Sequence, residues 1–213
     1  MGMRHFMSKP GAIVVAATLA LGIAACSATA PGPAVTDGTG AGSASPTAPP
    51  VATPTPLATA SAPAAGTPGA AVWEALMGPH GEYHALAGYA AVIEEFGPVQ
   101  PYVAIAATEE RHINALGRQL ERFGAEVPAN PYIGEIDAPP DLATAAGARA
   151  DSEVANIAMY DNLLIQVTDI GLLSVFTNLR RASMEAHLPL LGEAEANGGT
   201  LTEEQMVELG HID

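Results

Sequence analysis

The sequence predicts an all-α domain in which four long helices form a bundle, with a long crossing connection between the second and third helices and a short helix near the C-terminus. Three observations support this prediction. Apolar residues recur every three or four positions from about residue 72 onward. Helix-ending residues, Gly97-Pro98 and Gly124, divide this pattern, and a proline-containing stretch at 125–140 interrupts it. The expected domain, residues 71–213, is large enough to form one hydrophobic core.

Residues 1–26 have the pattern of a secretory leader. Arg4 and Lys9 supply positive charge, and the apolar run that follows is too short to span a membrane comfortably. Its end, Ile-Ala-Ala-Cys, resembles the lipobox of bacterial lipoproteins, in which the chain is cut before a cysteine that then carries lipid. Cys26 is the only cysteine, and we expect it to be lipidated. In the alternative, an ordinary signal peptide is cut after Ala30 and Cys26 is lost with it.

Residues 27–70 consist almost entirely of Ala, Pro, Thr, Ser and Gly, and Asp37 is their only charged residue. Such a composition lacks the apolar side chains that a core needs, so it predicts a disordered tether. A tether that follows a lipidated Cys26 would hold the domain near a membrane surface. The expected location is therefore extracytoplasmic, on the cell membrane through a lipid anchor.

The charge of the chain bears on its partners. The formal net charge is −15, and loss of the leader would remove basic residues but no acidic ones. Nucleic acid is not an expected partner, because binding to phosphates needs a basic surface, whereas cations are attracted. The chain has no Gly-rich phosphate loop, Cys-x-x-Cys pair or Gly-x-Ser-x-Gly sequence, so no motif supports nucleotide binding, thiol redox chemistry or serine hydrolysis.

The apolar periodicity and the helix-ending residues set the expected helix boundaries. A capping box of Thr202 and Gln205 predicts the short terminal helix. The four long helices are expected at Val72–Phe96, Pro101–Phe123, Asp141–Gln166 and Asp169–Ala196.

The connection at 125–140 contains four prolines. At about 3.3 Å per extended residue it can reach ~50 Å, more than the length of a helix. One long connection between two short ones favours a ferritin-like bundle over a simple up-and-down bundle.

Each long helix places an ionisable residue on its apolar side. On the second helix, Glu109 and His112 share a stripe with Ile105 and Leu116. An ionised carboxylate buried there costs several kcal/mol, of the order estimated for any buried ion, unless it is compensated, and a metal ion is one such compensating partner. On the other helices, counting in steps of three or four residues along the apolar face likewise reaches one ionisable residue each. The candidate metal ligands are therefore Glu82, Glu109, His112, Glu153 and His187.

Each of these residues also has a simpler interpretation. A single Glu on an apolar face is usually a boundary residue whose carboxylate reaches water, and a single inward His is usually a hydrogen-bonded core residue. The presence of compatible ligands on four helices favours a joint site. The remaining histidines, His80, His84 and His211, are expected at the surface. Three tyrosines are expected as packed aromatics with hydrogen-bonded hydroxyls, namely Tyr83, Tyr89 and Tyr160.

From about residue 74 to 196 the chain resembles the ferritin-like family catalogued as domain of unknown function 2202. The resemblance is carried by Glu82 with Tyr89 and Phe96-Gly97, by Ala107 to His112, by Glu153 with Asn156 to Asp161, and by Asn178 to Ser183 with His187-Leu188. It implies a bundle related to rubrerythrin-like and ferritin-like proteins. It also implies one or two metal ions, usually iron, held by the five candidate ligands.

The fourth helix departs from a symmetric di-iron pattern. A second Glu-x-x-His would need a glutamate three residues before His187, but Met184 stands there, and Glu185 projects about 100° further round the helix. The site therefore has one carboxylate fewer than a symmetric di-iron site. Water or an exogenous anion could take the missing position, or the site could hold a single metal ion. Met184 also permits copper, which accepts thioether sulfur, and manganese is a further alternative; iron is expected first, because glutamates are hard ligands.

Three functions are consistent with these residues. The first is a metal-dependent oxidoreductase, ferroxidase-like or peroxidase-like, that acts on dioxygen, peroxide or ferrous iron. The second is metal binding or sequestration without turnover. The third is a structural bundle whose inward Glu and His residues pair with one another. The expected partners are metal ions and, through the lipid anchor, the membrane; a homodimer is left open.

We predict that Cys26→Ala releases the protein from the membrane fraction, because in the lipoprotein interpretation this residue both defines the cleavage site and carries the lipid. Fractionation of cells that express the wild type and the variant measures this. Membrane association that is unchanged in Cys26→Ala would contradict the anchor.

Overall fold

The computed structural model describes residues 60–211. Within this range the chain is helical and has no strand, apart from an isolated bridge between Gln100 and Leu201. The predicted all-α class is therefore confirmed. The predicted leader, with Cys26, and most of the predicted tether lie outside the described residues. None of the helices in the described part combines the length and apolar character that a membrane span requires.

The helices follow one another along the chain. They are α1 Pro68–Met77, α2 Glu82–Phe96, α3 Tyr102–Arg122, α4 Leu142–Leu164, α5 Ile170–Ala182, a π-helical segment Ser183–His187, α6 Leu188–Ala196 and α7 Glu203–Glu208.

The first predicted helix is wrong in one respect, because residues 72–96 form two helices rather than one. Gly78 ends α1 by donating its N–H to the Glu74 carbonyl, and Pro79 follows. Gly81 then precedes α2, and a Cβ at Gly81 would lie 2.6 Å from the Ala75 carbonyl oxygen. Only glycine fits that approach. The break puts Glu82 at the first position of α2 instead of in the middle of a longer helix.

The fourth predicted helix also differs from expectation. It is helical from Ile170 to Ala196, but residues 183–187 form a π-helical turn in which the Leu188 N–H bonds to the Ser183 carbonyl. Such wider turns occur mostly as single insertions in α-helices, frequently at functional sites. Here the wider turn ends at His187.

Side chains at the helix starts agree with the sequence pattern. Asp141 and Asp169 accept N–H bonds at the starts of α4 and α5, and Thr202 with Gln205 forms the predicted capping box of α7. α1 begins at Pro68, earlier than expected, because the Thr67 hydroxyl accepts the Ala70 N–H.

The connection between α3 and α4 is tied to the start of the domain by hydrogen bonds. The Tyr83 hydroxyl donates to the Pro128 carbonyl, the Asn130 amide donates to the Tyr83 carbonyl at 2.9 Å, and the Tyr132 hydroxyl donates to the Met77 carbonyl at 2.8 Å. These bonds fix the connection over α1 and α2.

The helices pack in pairs. α2 lies against α3, α4 lies against α5, the π segment and α6, and α2 also contacts α4. Two apolar clusters are buried along them, with polar residues between. On α3, Ile105 belongs to one cluster and Leu116 to the other, and the buried residues Glu109 and His112 lie between them. The fold thus encloses a polar layer between two apolar ones.

We predict that Gly199→Ala destabilises the domain far more than Gly198→Ala. Both glycines have positive φ, so each substitution costs about 1 kcal/mol in backbone strain. A Cβ at Gly199 would also lie 2.1 Å from the Leu142 carbonyl carbon, whereas a Cβ at Gly198 meets nothing within 4 Å. The overpacking raises the expected loss at Gly199 to ~3 kcal/mol.

Urea denaturation of the two variants measures the difference in unfolding free energy. Equal losses would contradict the described packing of the turn after α6 onto the start of α4.

Candidate metal centre

The structure brings the five sequence-predicted residues together in the polar layer. All are buried: the exposed fractions are 1% for Glu82, 1% for Glu109, 8% for His112, 2% for Glu153 and 2% for His187. They come from α2, α3, α4 and the π segment. Their role as metal ligands stays a prediction at this point.

Glu109 occupies the centre of the cluster. Its Oε2 lies 3.2 Å from His112 Nδ1, and its Oε1 lies 3.0 Å from His187 Nδ1. Each carboxylate oxygen therefore faces a different imidazole. The two rings lie nearly parallel, with centroids 5.7 Å apart.

The other two glutamates extend the cluster in opposite directions. Glu82 Oε1 lies 3.9 Å from His112 Nδ1, and Glu153 Oε2 lies 3.3 Å from His187 Nδ1. Two groups result, Glu82 with Glu109 and His112, and Glu109 with Glu153 and His187. In each group one donor atom per residue lies within 4.8 Å of the others. Both groups could hold a metal ion, and Glu109 belongs to both.

The donor atoms of the cluster fit a cation better than they fit one another. Glu82 Oε2, Glu109 Oε1, Glu153 Oε2 and both nitrogens of His187 are buried without a hydrogen-bond partner. Glu109 Oε1 and His187 Nδ1 are 3.0 Å apart but are not aligned as donor and acceptor. Buried polar atoms without partners are costly, and a bound cation would satisfy them. Carboxylate oxygens and imidazole nitrogens suit iron and manganese.

The charges of the metal-free cluster interact strongly. Burial raises the pKa of Glu82 to about 7, and the nearby Glu109 charge adds to this. Burial also acts to raise the pKa of Glu109, but contacts with His112, His187 and Glu82 outweigh it and lower the value to about 2. Burial alone would lower both histidine pKa values, but the carboxylates raise that of His112 to about 10 and that of His187 to about 9. A metal ion that bound these imidazoles would displace their protons.

Two tyrosines hold the outer glutamates. The Tyr89 hydroxyl donates to Glu153 Oε1 at 2.6 Å, and the Tyr160 hydroxyl donates to Glu82 Oε1. Each tyrosine follows the glutamate of its own helix by seven residues and reaches the glutamate of the other, so α2 and α4 run antiparallel here. Burial raises the pKa of both phenols well above the usual value, so both act as donors. The sequence predicted packed tyrosines but not these partners; the spacing of seven residues, repeated on α2 and α4, is the signal that could have indicated them.

Met184 does not take part in the cluster. Its side chain is 41% exposed, and its sulfur accepts an Arg180 N–H at 3.5 Å. Met184 is therefore not placed to offer its sulfur to a metal ion in this cluster, because the π-helical turn keeps Ser183 and His187 buried while Met184 faces outward.

Two buried polar residues near the cluster carry part of the family resemblance but were assigned no role in the site from the sequence. The Ser183 hydroxyl donates to Asn156 Oδ1 at 3.1 Å, and the Asn156 amide donates to the His80 carbonyl at 3.0 Å. This chain of bonds joins the π segment, α4 and the break before α2. Asn156 follows Glu153 by three residues, which is the spacing that could have placed it on the same face.

The remaining histidines lie outside the cluster. His80 is exposed, as expected. The expected surface position is wrong for His84, which is partly buried and packs edge-on against Tyr132 with ring centroids 5.2 Å apart. His211 is also partly buried.

Comparison of the chain with protein-family models, curated proteins and solved structures gives no match. The geometry of the cluster is therefore what indicates a function.

We predict that Glu109→Ala and His112→Ala each lose most bound metal, whereas Glu110→Ala keeps it. Glu110 is the matched control, because it neighbours Glu109 on α3 but is exposed. Glu153→Ala and His187→Ala should lower metal content as well, since both belong to the second group. Elemental analysis of protein purified without chelators measures this. Loss of metal in Glu110→Ala equal to that in Glu109→Ala would contradict the assignment.

Proposed function

We propose that residues 71–213 form a ferritin-like four-helix bundle that binds two metal ions, iron first, and uses them for redox chemistry with dioxygen, peroxide or ferrous iron. The observation that carries the proposal is the central position of Glu109. One of its oxygens faces His112 and the other faces His187, and it belongs to both three-residue groups. A carboxylate shared in this way is suited to bridge two ions.

The donor set supports iron as the first choice and manganese as the alternative. It consists of three carboxylates and two imidazoles, and ligands of this kind projecting inward from several helices characterise di-iron and di-manganese carboxylate bundles. Met184 is exposed, so its thioether sulfur gives no reason to prefer copper at this cluster. The absence of a second Glu-x-x-His leaves coordination positions for water or a small anion.

Bound ions of this kind supply electrons and open coordination positions for small oxidants. The protein contributes orientation and enclosure. Tyr89 and Tyr160 each donate to one oxygen of an outer glutamate, which fixes the direction of its other oxygen. None of the five residues is more than 8% exposed. The enclosed cluster therefore favours reactants as small as dioxygen, peroxide or a metal ion.

We also propose that the domain works at the outer face of a cell membrane, attached through lipid on Cys26. This rests on the Ile-Ala-Ala-Cys sequence and the composition of residues 27–70. The net charge of −15 would concentrate cations near the tethered domain.

The second candidate function is metal sequestration without turnover. The observation that favours it is the burial of the cluster, in which His112 is the most exposed residue at 8%. A site so enclosed can retain an ion without exchanging substrates.

Oxygen uptake distinguishes the two functions. We predict that metal-free protein takes up two ferrous ions per chain under anaerobic conditions, as the two groups require, and consumes dioxygen when air is admitted. An oxygen electrode and the rise of ferric absorbance follow the reaction. Glu109→Ala should show only the rate of free ferrous iron, and Glu110→Ala should match the wild type.

Stoichiometric binding without oxygen or peroxide consumption would contradict the redox proposal and support sequestration. Failure to bind any of iron, manganese or copper would contradict both functions and support a purely structural cluster.

A further inference from the structure

Arg149 on α4 is a buried cation that the metal cluster does not use. It is 9% exposed, and its Nε and Nη1 are buried without a hydrogen-bond partner. None of the ion pairs found in residues 60–211 includes it. A guanidinium stays charged in proteins, so this charge acts on its surroundings with little screening by water.

The surroundings of Arg149 fix where its charge lies. A Cβ built on Gly88 would fall 1.6 Å from Nη1, so the guanidinium lies directly on the backbone of α2 at this glycine. The next residue is Tyr89, whose ring centroid is 5.9 Å from Arg149 Cζ. Tyr89 in turn donates to Glu153. The absence of a side chain at Gly88 is what admits the charge to this position.

Arg149 lies closer to one of the two metal groups than to the other. On α4 it precedes Glu153 by one helical turn. On α2 it contacts Gly88, which is six residues, or about 9 Å along the helix axis, from Glu82. Its charge therefore lies beside the group of Glu109, Glu153 and His187, and further from the group of Glu82, Glu109 and His112.

The two groups offer the same types of ligand. Each has one outer glutamate held by a tyrosine, one histidine and a share of Glu109. Exposed charges near them, such as Arg111 and Glu185, face solvent and are screened. Arg149, in contrast, is a buried charge that lies beside only one of the two groups.

We propose that Arg149 makes the two metal positions unequal, so that the group of Glu82, Glu109 and His112 fills first and binds its ion more tightly. This inference rests on the proposed two-ion site. The guanidinium repels a metal ion bound in the group of Glu109, Glu153 and His187, and this repulsion is weaker for an ion in the more distant group. Because both groups offer equal ligand charge, the ordering of the two ions comes from the buried guanidinium.

The test uses Mn²⁺ as the probe, with free Mn²⁺ measured by electron paramagnetic resonance. Glu153→Ala keeps the Glu82 group intact, and Glu82→Ala keeps the Glu153 group intact. Each variant also leaves one tyrosine without its glutamate, so the pair is matched. We expect Mn²⁺ to bind at least about tenfold more tightly to Glu153→Ala than to Glu82→Ala.

Each of these variants is then combined with Arg149→Met, which removes the charge and keeps an apolar stem. The tenfold difference should shrink to about twofold or less, through tighter binding in Glu82→Ala. Arg149→Gln provides a second neutral variant if the methionine packs poorly, as judged by circular dichroism. Arg118→Met, the loss of an exposed arginine on α3, should leave the difference unchanged.

Equal affinities before Arg149 is changed, or a difference that survives both neutral variants, would overturn this inference while leaving the two-ion site intact. A wild-type protein that binds no Mn²⁺, Fe²⁺ or copper would overturn the inference together with the proposed function.

Discussion

The rest of the structure depends on the burial of the Glu109 carboxylate between two histidines. An ionised carboxylate away from water is tolerated only when opposite charge compensates it. In the metal-free chain the imidazoles of His112 and His187 supply that charge, and the contacts that they make lower the pKa of Glu109 to about 2. The compensation is incomplete, because Glu82 and Glu153 each keep a buried oxygen without a hydrogen-bond partner. Two cations in place of two imidazole protons would meet the needs of all three carboxylates.

The polar cluster lies between two apolar regions of the core. Apolar clusters on either side of the polar layer exclude water from it and fix the helices that carry the five cluster residues. The break at Gly78 to Gly81 sets the start of α2 at Glu82, and the π-helical turn sets the direction of His187. Hydrogen bonds through Asn156 join these two irregular features. The two irregular backbone features therefore lie next to Glu82 and His187 of the cluster.

Sequence periodicity predicted the helical class and the convergence of the five polar residues, because each of the four long helices places an ionisable residue on its apolar face. It could not predict the π-helical turn, because steps of three or four residues assume a regular α-helix. That assumption placed Met184 beside His187. It did not predict the break before Glu82, although Gly78, Pro79 and Gly81 are residues that commonly interrupt a helix. The burial of Arg149 could not be predicted, because the residues next to it in the sequence do not distinguish a buried arginine from an exposed one. Its burial depends on Gly88 of another helix.

The central claim is that Glu109 bridges two metal ions. Anomalous diffraction from crystals of the manganese-loaded or iron-loaded protein tests it most directly. We expect two peaks about 3.5–4 Å apart, one near His112 and the other near His187, with Glu109 between them. A single peak, or metal bound away from Glu109, would contradict it.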